Sequence, residues 1–343
     1  MAYTTIDKPS DYFNTVLYTG DGSSSRNITG VGFQPNWVWF KQRSGTQPHT
    51  AIDSVRTGDS KLRINVTSAE FTGQAYNFNS DGFGWTSQDD ESNENSETYV
   101  SWNWKAGTSF TNDASATGIG SLDSAGSVNE TAGFSIVTYS AVGANHTVKH
   151  GLSTTPDLII FKSRNSSSQG WVVYHKDIAN TKFVRLNETD AANTSTDGSG
   201  NFNSTSPTSS VFSIGTALAT GENGKNIVCY CFSERKGYSK FGSYTGNQDT
   251  NNAPFIYTGF KPALVIVKNT TGNNWGIFDN KRSPHNVVTD LLLPNSNAAN
   301  DGNTNPRIDM LSNGFKPRTN DGLENPSAEV IYMAFAENPF VTS

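Results

Sequence analysis

The sequence predicts an all-β protein made of three tandem, internally homologous antiparallel β-sandwich repeats. Ser, Thr and Asn make up one third of the 343 residues, aromatic residues reach 11%, and 31 residues are Gly. Short apolar runs are separated by Asp-Gly and Asn-Gly pairs, in which Gly supplies the positive φ of tight hairpin turns. This pattern of runs and turns occurs three times along the chain, which indicates three similar β units.

Each predicted copy has a Tyr-containing strand, an apolar run that ends in Lys, and a closing strand rich in aromatic residues. The runs with their Lys are residues 37–41, 158–162 and 264–268, and the closing strands are residues 99–104, 227–232 and 330–335. Continuous apolar runs are typical of strands covered on both faces, so we expect them at the centre of each sheet. The closing strands alternate more, so we expect only one of their faces to contact a core.

The recurrence divides the chain into five parts. We expect an N-terminal arm (residues 1–15), a first repeat (16–105), a polar linker (106–132), a second repeat (133–233) and a third repeat (241–343). The linker is assigned because residues 106–132 are Ser, Thr, Ala, Gly and Asn with almost no large apolar side chain.

Composition excludes several classes of protein. The net charge is −6, whereas nucleic-acid binders usually carry a basic surplus. The 39 aromatic residues are too many for a disordered chain. The first residues lack the basic and apolar regions of a signal peptide, and the longest apolar run, residues 330–336, is far below the ~20 residues that span a bilayer. We therefore expect a protein made in the cytosol and not inserted in a membrane.

Two small groups of residues allow a functional or a structural interpretation. The Lys that ends each apolar run (Lys41, Lys162 and Lys268) either binds an anionic ligand or ends the strand and reaches solvent. We favour solvent, because a charge is costly inside a sandwich. Cys229 and Cys231 lie two apart in a predicted strand and point to one face. We favour two buried thiols over a metal or redox pair, because the chain has no further Cys.

The acidic segment 89–97 is the best candidate for a cation site or for catalysis. It is either a Ca²⁺ loop or a solvated hairpin loop between Trp85 and Tyr99, and we favour the hairpin because the Gly and the spacing of a calcium loop are absent. The five histidines are scattered, and no nucleophile-elbow, zinc-protease or phosphate-loop motif occurs. We therefore assign no catalytic, cofactor-binding or metal residue, and expect a protein that is not an enzyme and has no cofactor.

Aromatic side chains could form a sugar-binding platform. Trp85 lies outside the repeated pattern and is our candidate for an exposed platform residue. Trp171 and Trp275 occupy equivalent positions in two copies, so we expect them in a core.

Several motifs together resemble a repeat domain of virion proteins from marine tailed bacteriophages, over nearly the whole chain. They include Tyr-Phe-Asn-Thr-Val-Leu-Tyr-Thr-Gly-Asp-Gly (12–22), Tyr-Val-Ser-Trp-Asn-Trp-Lys-Ala-Gly (99–107) and His-Gly-Leu-Ser-Thr-Thr-Pro-Asp-Leu-Ile-Ile-Phe-Lys (150–162). The resemblance implies a tail-fibre-like or structural protein with a lectin-like or jelly-roll-like β fold. It also implies synthesis in the host cytoplasm and exposure on the virion surface.

The resemblance favours a tail fibre or host-recognition component, with residues 1–15 as its attachment segment. Its expected partners are other virion proteins, further copies of the chain and a host surface glycan. The alternatives are a capsid decoration or head-fibre protein that stabilises the shell, and, less favoured, a surface-glycan depolymerase.

Overall fold

The computed structural model describes residues 4–56, 58–87, 89–193, 200–302 and 304–339. Strands account for 41% of the chain and helices for 4%, and none of the sheets closes into a barrel. The paired strands run antiparallel in every sheet. The prediction of an antiparallel all-β fold is therefore confirmed. Within the described ranges, the helices are too short and too polar to cross a membrane.

The first part of the chain forms a five-stranded main sheet covered by a three-stranded small sheet. Its elements are a 3-10 turn (Pro9–Asp11), β1 (Phe13–Thr19), β2 (Arg26–Ile28), β3 (Trp37–Gln42), β4 (Thr50–Asp53), β5 (Leu62–Arg63), β6 (Tyr76–Asn79), β7 (Gly82–Trp85), α1 (Asp90–Asn93) and β8 (Thr98–Trp104). The main sheet has the order β1-β8-β3-β4-β5 and the small sheet β2-β7-β6. Ile28, Phe40 and Phe83 pack in the core between the two sheets.

The second part forms a seven-stranded main sheet and a two-stranded small sheet. Its elements are β9 (Thr108–Asn112), α2 (Ala114–Thr117), β10 (Ser124–Asn129), β11 (Phe134–Ser140), β12 (His146–Lys149), β13 (Leu158–Ser163), β14 (Val172–His175), β15 (Val184–Arg185), β16 (Val211–Ile214) and β17 (Asn226–Phe232). The orders are β15-β14-β13-β17-β11-β10-β9 and β12-β16. Tyr139, Phe161 and Phe212 pack between these sheets.

The third part forms a four-stranded main sheet and a three-stranded small sheet. Its strands are β18 (Ser239–Thr245), β19 (Ile256–Tyr257), β20 (Phe260–Asn269), β21 (Trp275–Asp279), β22 (Ile308–Leu311), β23 (Gly314–Pro317) and β24 (Glu329–Pro339). The orders are β18-β24-β20-β21 and β19-β23-β22. Val265, Phe315 and Tyr332 fill the core between them.

The three main sheets turn their remaining faces toward one another and share a single large core, which we call the central core. At its middle the rings of Trp104, Phe232 and Phe335, one from each main sheet, meet with centroids 5.6 to 6.3 Å apart. Trp37 of the first sheet stacks on Tyr230 of the second at 4.3 Å. Burial of apolar surface therefore holds the three sheets together.

Buried hydrogen bonds join the main sheets at the edges of the central core. The Tyr230 hydroxyl donates to Asp53 Oδ2 at 2.7 Å, which links the second sheet to the first. Trp102 Nε1 donates to Asp279 Oδ2 at 3.1 Å, which links the first to the third. His175 Nε2 lies 3.3 Å from the backbone oxygen of Tyr332 and links the second to the third. Because buried polar groups need partners, these bonds also fix how the sheets are oriented.

The apolar runs lie where the sequence places them. β3, β13 and β20 are each flanked by a strand on both sides, and β3 and β13 are buried along their whole length. The expectation that the closing strands bury only one face is wrong, because β8 and β17 are buried at all but their first residue. Their second face lies beneath a small sheet or a neighbouring loop, where Ser, Asn and Cys fit.

The expectation of a polar linker over residues 106–132 is also wrong. β9 and β10 lie within it and add two strands to the seven-stranded sheet through pairing with β11. Small residues allow this, because Phe110 lies against Gly126 and Gly151, and a Cβ added at either position would come within 3.0 Å of its ring. Low hydrophobicity here reflects close packing of one ring on glycines rather than lack of structure.

The N-terminal arm is part of the folded body rather than a free attachment segment. Ile6 is buried in the central core, and Phe13 stacks on Phe335 at a centroid distance of 5.1 Å. Residues 13–15 already belong to β1, so the expected boundary at residue 16 falls inside this strand. Residues 1–3 of the arm and 340–343 of the third expected repeat lie outside the described residues.

Candidate functional site

The acidic segment 89–97 is tied down by bonds within the chain. Asp89 caps α1 by accepting from the backbone N–H of Ser92 at 2.9 Å, and it also pairs with Lys61. Glu91 pairs with Lys61 at 3.0 Å and with Arg63. The segment thus contains a short capped helix, and basic side chains of β5 and its flank neutralise these two carboxylates.

The two later carboxylates of the segment, those of Glu94 and Glu97, accept hydrogen bonds from side chains at the end of β3 and just after it. Gln42 Nε2 donates to Glu94 Oε2 at 2.8 Å, and the Ser44 hydroxyl donates to Glu97. Within the described residues, no three or more His, Cys, Asp or Glu side chains are grouped so that they could hold a metal ion. The carboxylates therefore connect the segment to the first main sheet.

The expectation that Lys41, Lys162 and Lys268 reach solvent is wrong. All three are buried, and each Nζ donates to backbone carbonyls of the turn that follows its strand. Lys162 has the fullest set, with bonds to the carbonyls of Thr67, Ser163 and Gln169 at 2.9 to 3.1 Å. Burial lowers the pKa of each ammonium group to about 8. The backbone carbonyls take the place of the water that each ammonium group loses on burial. These lysines therefore stabilise the turns that follow their strands.

Cys229 and Cys231 lie on one face of β17, as the sequence predicts, and both pack in the core between the second main sheet and its small sheet. Burial raises the pKa of both thiols. A protonated, buried thiol is a poor nucleophile and a poor metal ligand, so both side chains behave as small apolar groups.

Three of the histidines are buried at hydrogen-bonded positions. In His150, Nδ1 accepts from the backbone N–H of Leu152 at 3.2 Å and Nε2 faces the backbone oxygen of Thr208 at 3.2 Å. His175 has the same pattern, because its Nδ1 accepts from the backbone N–H of Asp177. Because Nδ1 must accept, the bound ring is neutral, and burial lowers the pKa of both histidines to about 4.

We expect the free energy of unfolding to fall as the pH is lowered from about 6.5 to about 4. Across this window the unfolded chain binds protons that folded His150 and His175 exclude, so acid favours unfolding by roughly 3 kcal/mol per histidine. Urea denaturation at several pH values measures the slope. His150→Gln should flatten it, whereas the same change at exposed His285 should not. An unchanged slope in His150→Gln would contradict this assignment.

The expected sugar platform at Trp85 does not exist, because Trp85 is only 1% exposed and packs in the core between the first small sheet and the first main sheet. The main sheet covers the face of β7 that carries Trp85. Trp171 and Trp275 are buried in the central core, as predicted. The large aromatic residues exposed in the described chain are instead Phe255 and Tyr257. Strand alternation around buried Ile256 was the signal that sequence reasoning missed.

A wide, open cleft of about 830 Å³ lies at the end of the second main sheet, where β9, β10 and β11 meet the loop after α2. Its wall is rich in hydroxyl and amide groups. The polar residues around it are Thr111, Asn112, Asp113, Ser121, Asp123, Ser124, Thr138, Ser140, Arg164 and Asn226. Much of this wall comes from the segment that the sequence assigned to a linker, although Asp113 followed by a short run to Gly118 has the pattern of a capped helix.

The charged groups of the cleft are engaged within the chain. Asp113 caps α2, and hydrogen bonds from Ser115 and the Ala116 N–H hold the pKa of its carboxyl below the usual value. Asp123 accepts from the Ala114 N–H at 2.8 Å, and Arg164 pairs with Glu70 at 2.8 Å. The Asp113 carboxyl is therefore a poor proton donor. The arrangement suits hydrogen bonding to a polyhydroxylated ligand better than acid–base chemistry.

Comparison with known proteins gives a family without an assigned function. Residues 8–339 match a family described as a domain of unknown function (DUF7483). No curated protein matches the chain. The matched range begins before β1 and ends with β24, so it includes all six sheets, the central core and the cleft. The chain therefore belongs to the DUF7483 family.

Proposed function

We propose that the chain is a non-enzymatic structural protein of a bacteriophage virion, and we favour a tail-fibre or host-recognition component. The motif resemblance supports this proposal. The observation that carries it is structural: three main sheets share one central core and leave an open cleft with a polar wall on the outside. A rigid body with a hydrogen-bonding exterior suits a protein that meets other virion proteins and a host surface glycan.

We also infer that the three parts are copies of one sandwich unit, as the sequence motifs indicate. Four strands of each main sheet have the same order relative to the chain: β1-β8-β3-β4, β11-β17-β13-β14 and β18-β24-β20-β21. In each part, a small sheet packs on the face away from the central core. The second part differs by the addition of β9 and β10 at one edge.

Equivalent contacts between neighbouring parts support the same inference. Trp171 Nε1 of the second part donates to the Arg63 carbonyl of the first at 3.0 Å. Trp275 Nε1 of the third donates to the Arg185 carbonyl of the second at 2.8 Å. In the first part, the corresponding residue is His49, whose backbone N–H donates to Asn65 Oδ1 as those of Trp171 and Trp275 donate to Asn187 and Asn295. The backbone N–H of Asn300 in the third part donates to the Arg43 carbonyl of the first at 2.7 Å, so the three parts follow one another around a ring.

The ring-like arrangement also favours one alternative, a capsid decoration protein. Three similar units around one axis match the local symmetry of a shell position at which three capsid subunits meet. Because the arm carrying Ile6 is packed in the central core, attachment in either location uses another surface.

Locating the chain in virions of the phage that encodes it tests the proposal. Immunogold labelling or a virion reconstruction should place it on the tail. Copies on the icosahedral lattice would replace the tail assignment with the decoration role, and absence from purified particles would overturn both. Incubation with host surface polysaccharide tests the depolymerase alternative, because release of reducing ends would show catalysis. No release is expected.

A further inference from the structure

Phe255 and Tyr257 expose apolar rings on the outer face of the third small sheet. Phe255 is 46% and Tyr257 is 54% exposed, whereas Ile256 between them is buried in the core below. β19 is an edge strand, and its partner β23 places Gly314 opposite Tyr257. The Phe255 ring lies against Gly314, where an added Cβ would come within 2.9 Å of it. The same Cβ would come within 2.1 Å of the backbone oxygen of Ile256, so the glycine allows β19 and β23 to pair closely and leaves room for the Phe255 ring on the outer face.

Charged groups border the two rings. Lys316 follows buried Phe315 on β23 and faces outward, and Asp309 lies opposite it on β22. Arg318 pairs with Asp309 at 3.1 Å between Nη1 and Oδ2. The face therefore combines a central apolar patch with hydrogen-bond donors and acceptors at its border, the combination by which proteins bind small polar ligands.

The fold does not require aromatic residues at these positions. The edge strand of the first small sheet, β2, has exposed Asn27 beside buried Ile28, and its counterpart in the second, β12, has Thr147 beside buried Val148. Both sheets form with polar residues on the outer face. The two neighbouring exposed rings of the third sheet thus add exposed apolar surface at an edge where the other two small sheets have polar residues.

We propose that this face, carried by Phe255 and Tyr257, is a saccharide-binding surface, which specifies the host-glycan contact of the proposed function. A sugar ring presents C–H groups on its face, which the electron-rich face of an aromatic ring attracts, and hydroxyl groups at its rim, which charged side chains bind. The two residues are about 7 Å apart along the strand, so both can contact one short saccharide segment.

The area available favours a saccharide over a second protein. About half of each aromatic side chain is exposed, which together gives roughly 200 Å² of apolar surface. A stable protein interface needs roughly 800 Å² per partner. The patch is too small to hold a protein by apolar contact alone, but it is large enough to cover one or two sugar rings.

Binding to a printed array of purified bacterial surface polysaccharides and defined oligosaccharides tests the proposal. We expect the full chain to bind a subset of the saccharides and the double variant Phe255→Ser, Tyr257→Ser to bind them at least about tenfold more weakly. Leu218→Ser is the matched control, because Leu218 is 56% exposed outside this face. Equal thermal midpoints of the three proteins show that the variants are folded.

Each outcome is decisive. A double variant that binds as well as the unaltered chain would move glycan binding elsewhere and leave the virion proposal intact. A chain that binds no printed saccharide would overturn the saccharide surface, while the virion location is tested separately. Concentration-dependent self-association that the double substitution abolishes would identify the face as an interface between copies and would also overturn the proposal.

Discussion

Trp104→Ala should lower the free energy of unfolding by about 3–5 kcal/mol. The Trp104 ring lies where the three main sheets meet, with centroids 6.3 Å from Phe232 and 5.6 Å from Phe335. It also stacks on Trp37 at 4.4 Å. Its removal leaves a cavity that no single sheet can close, because three rigid elements line it. Urea or guanidinium denaturation followed by circular dichroism measures the loss.

The same experiment tests whether the three parts fold as one unit. Because the central core is continuous, we expect the unaltered chain to unfold in a single transition and Trp104→Ala to shift all of it. Leu218→Ala, at an exposed position, should change stability by less than about 0.5 kcal/mol. A chain that unfolds in three separate steps, with only one of them shifted by Trp104→Ala, would contradict a shared core.

Arg282→Met should cost about 3–5 kcal/mol, because it leaves a buried carboxylate without its cation. Arg282 Nε and Asp279 Oδ2 are 2.6 Å apart, and both side chains are 0% exposed. The same carboxylate accepts from Trp102 Nε1 of the first sheet at 3.1 Å. The pair therefore stabilises both the turn after β21 and the contact between two main sheets.

A neighbouring residue gives the control for this prediction. Lys281→Met removes the same charge from an exposed side chain one residue away and should change stability little. Adding Asp279→Asn to Arg282→Met removes the unpaired charge and should recover part of the loss. If Lys281→Met and Arg282→Met lowered the free energy of unfolding equally, the buried Arg282–Asp279 pair would contribute no more to stability than an exposed charge does, which would contradict the prediction.

Features that depend on residues close together in the sequence could be predicted accurately, whereas features that depend on residues far apart in the sequence could not. The runs of β3 and β13 have apolar residues on both faces of the strand. Their position at the centre of a sheet could therefore be predicted from the sequence. The candidate site residues were predicted less accurately than the strands. Trp85 is buried by apolar side chains of β3 and β4 in the first main sheet, and Lys162 donates to the Thr67 carbonyl of the first part, so the burial of both depends on residues far away in sequence. The cleft wall was missed because β10 consists mainly of small and polar residues, and pairing with β9 and β11 places it in the sheet.

By itself the sequence determined an antiparallel all-β chain, buried thiols on β17 and core positions for Trp171 and Trp275. Periodicity and turn residues encode these features locally. Only the tertiary structure decided that the three main sheets share one core, and that Phe255 and Tyr257 stay exposed while Trp85 does not. Which face of a strand meets water depends on the sheet placed over it, and that sheet comes from residues far along the chain.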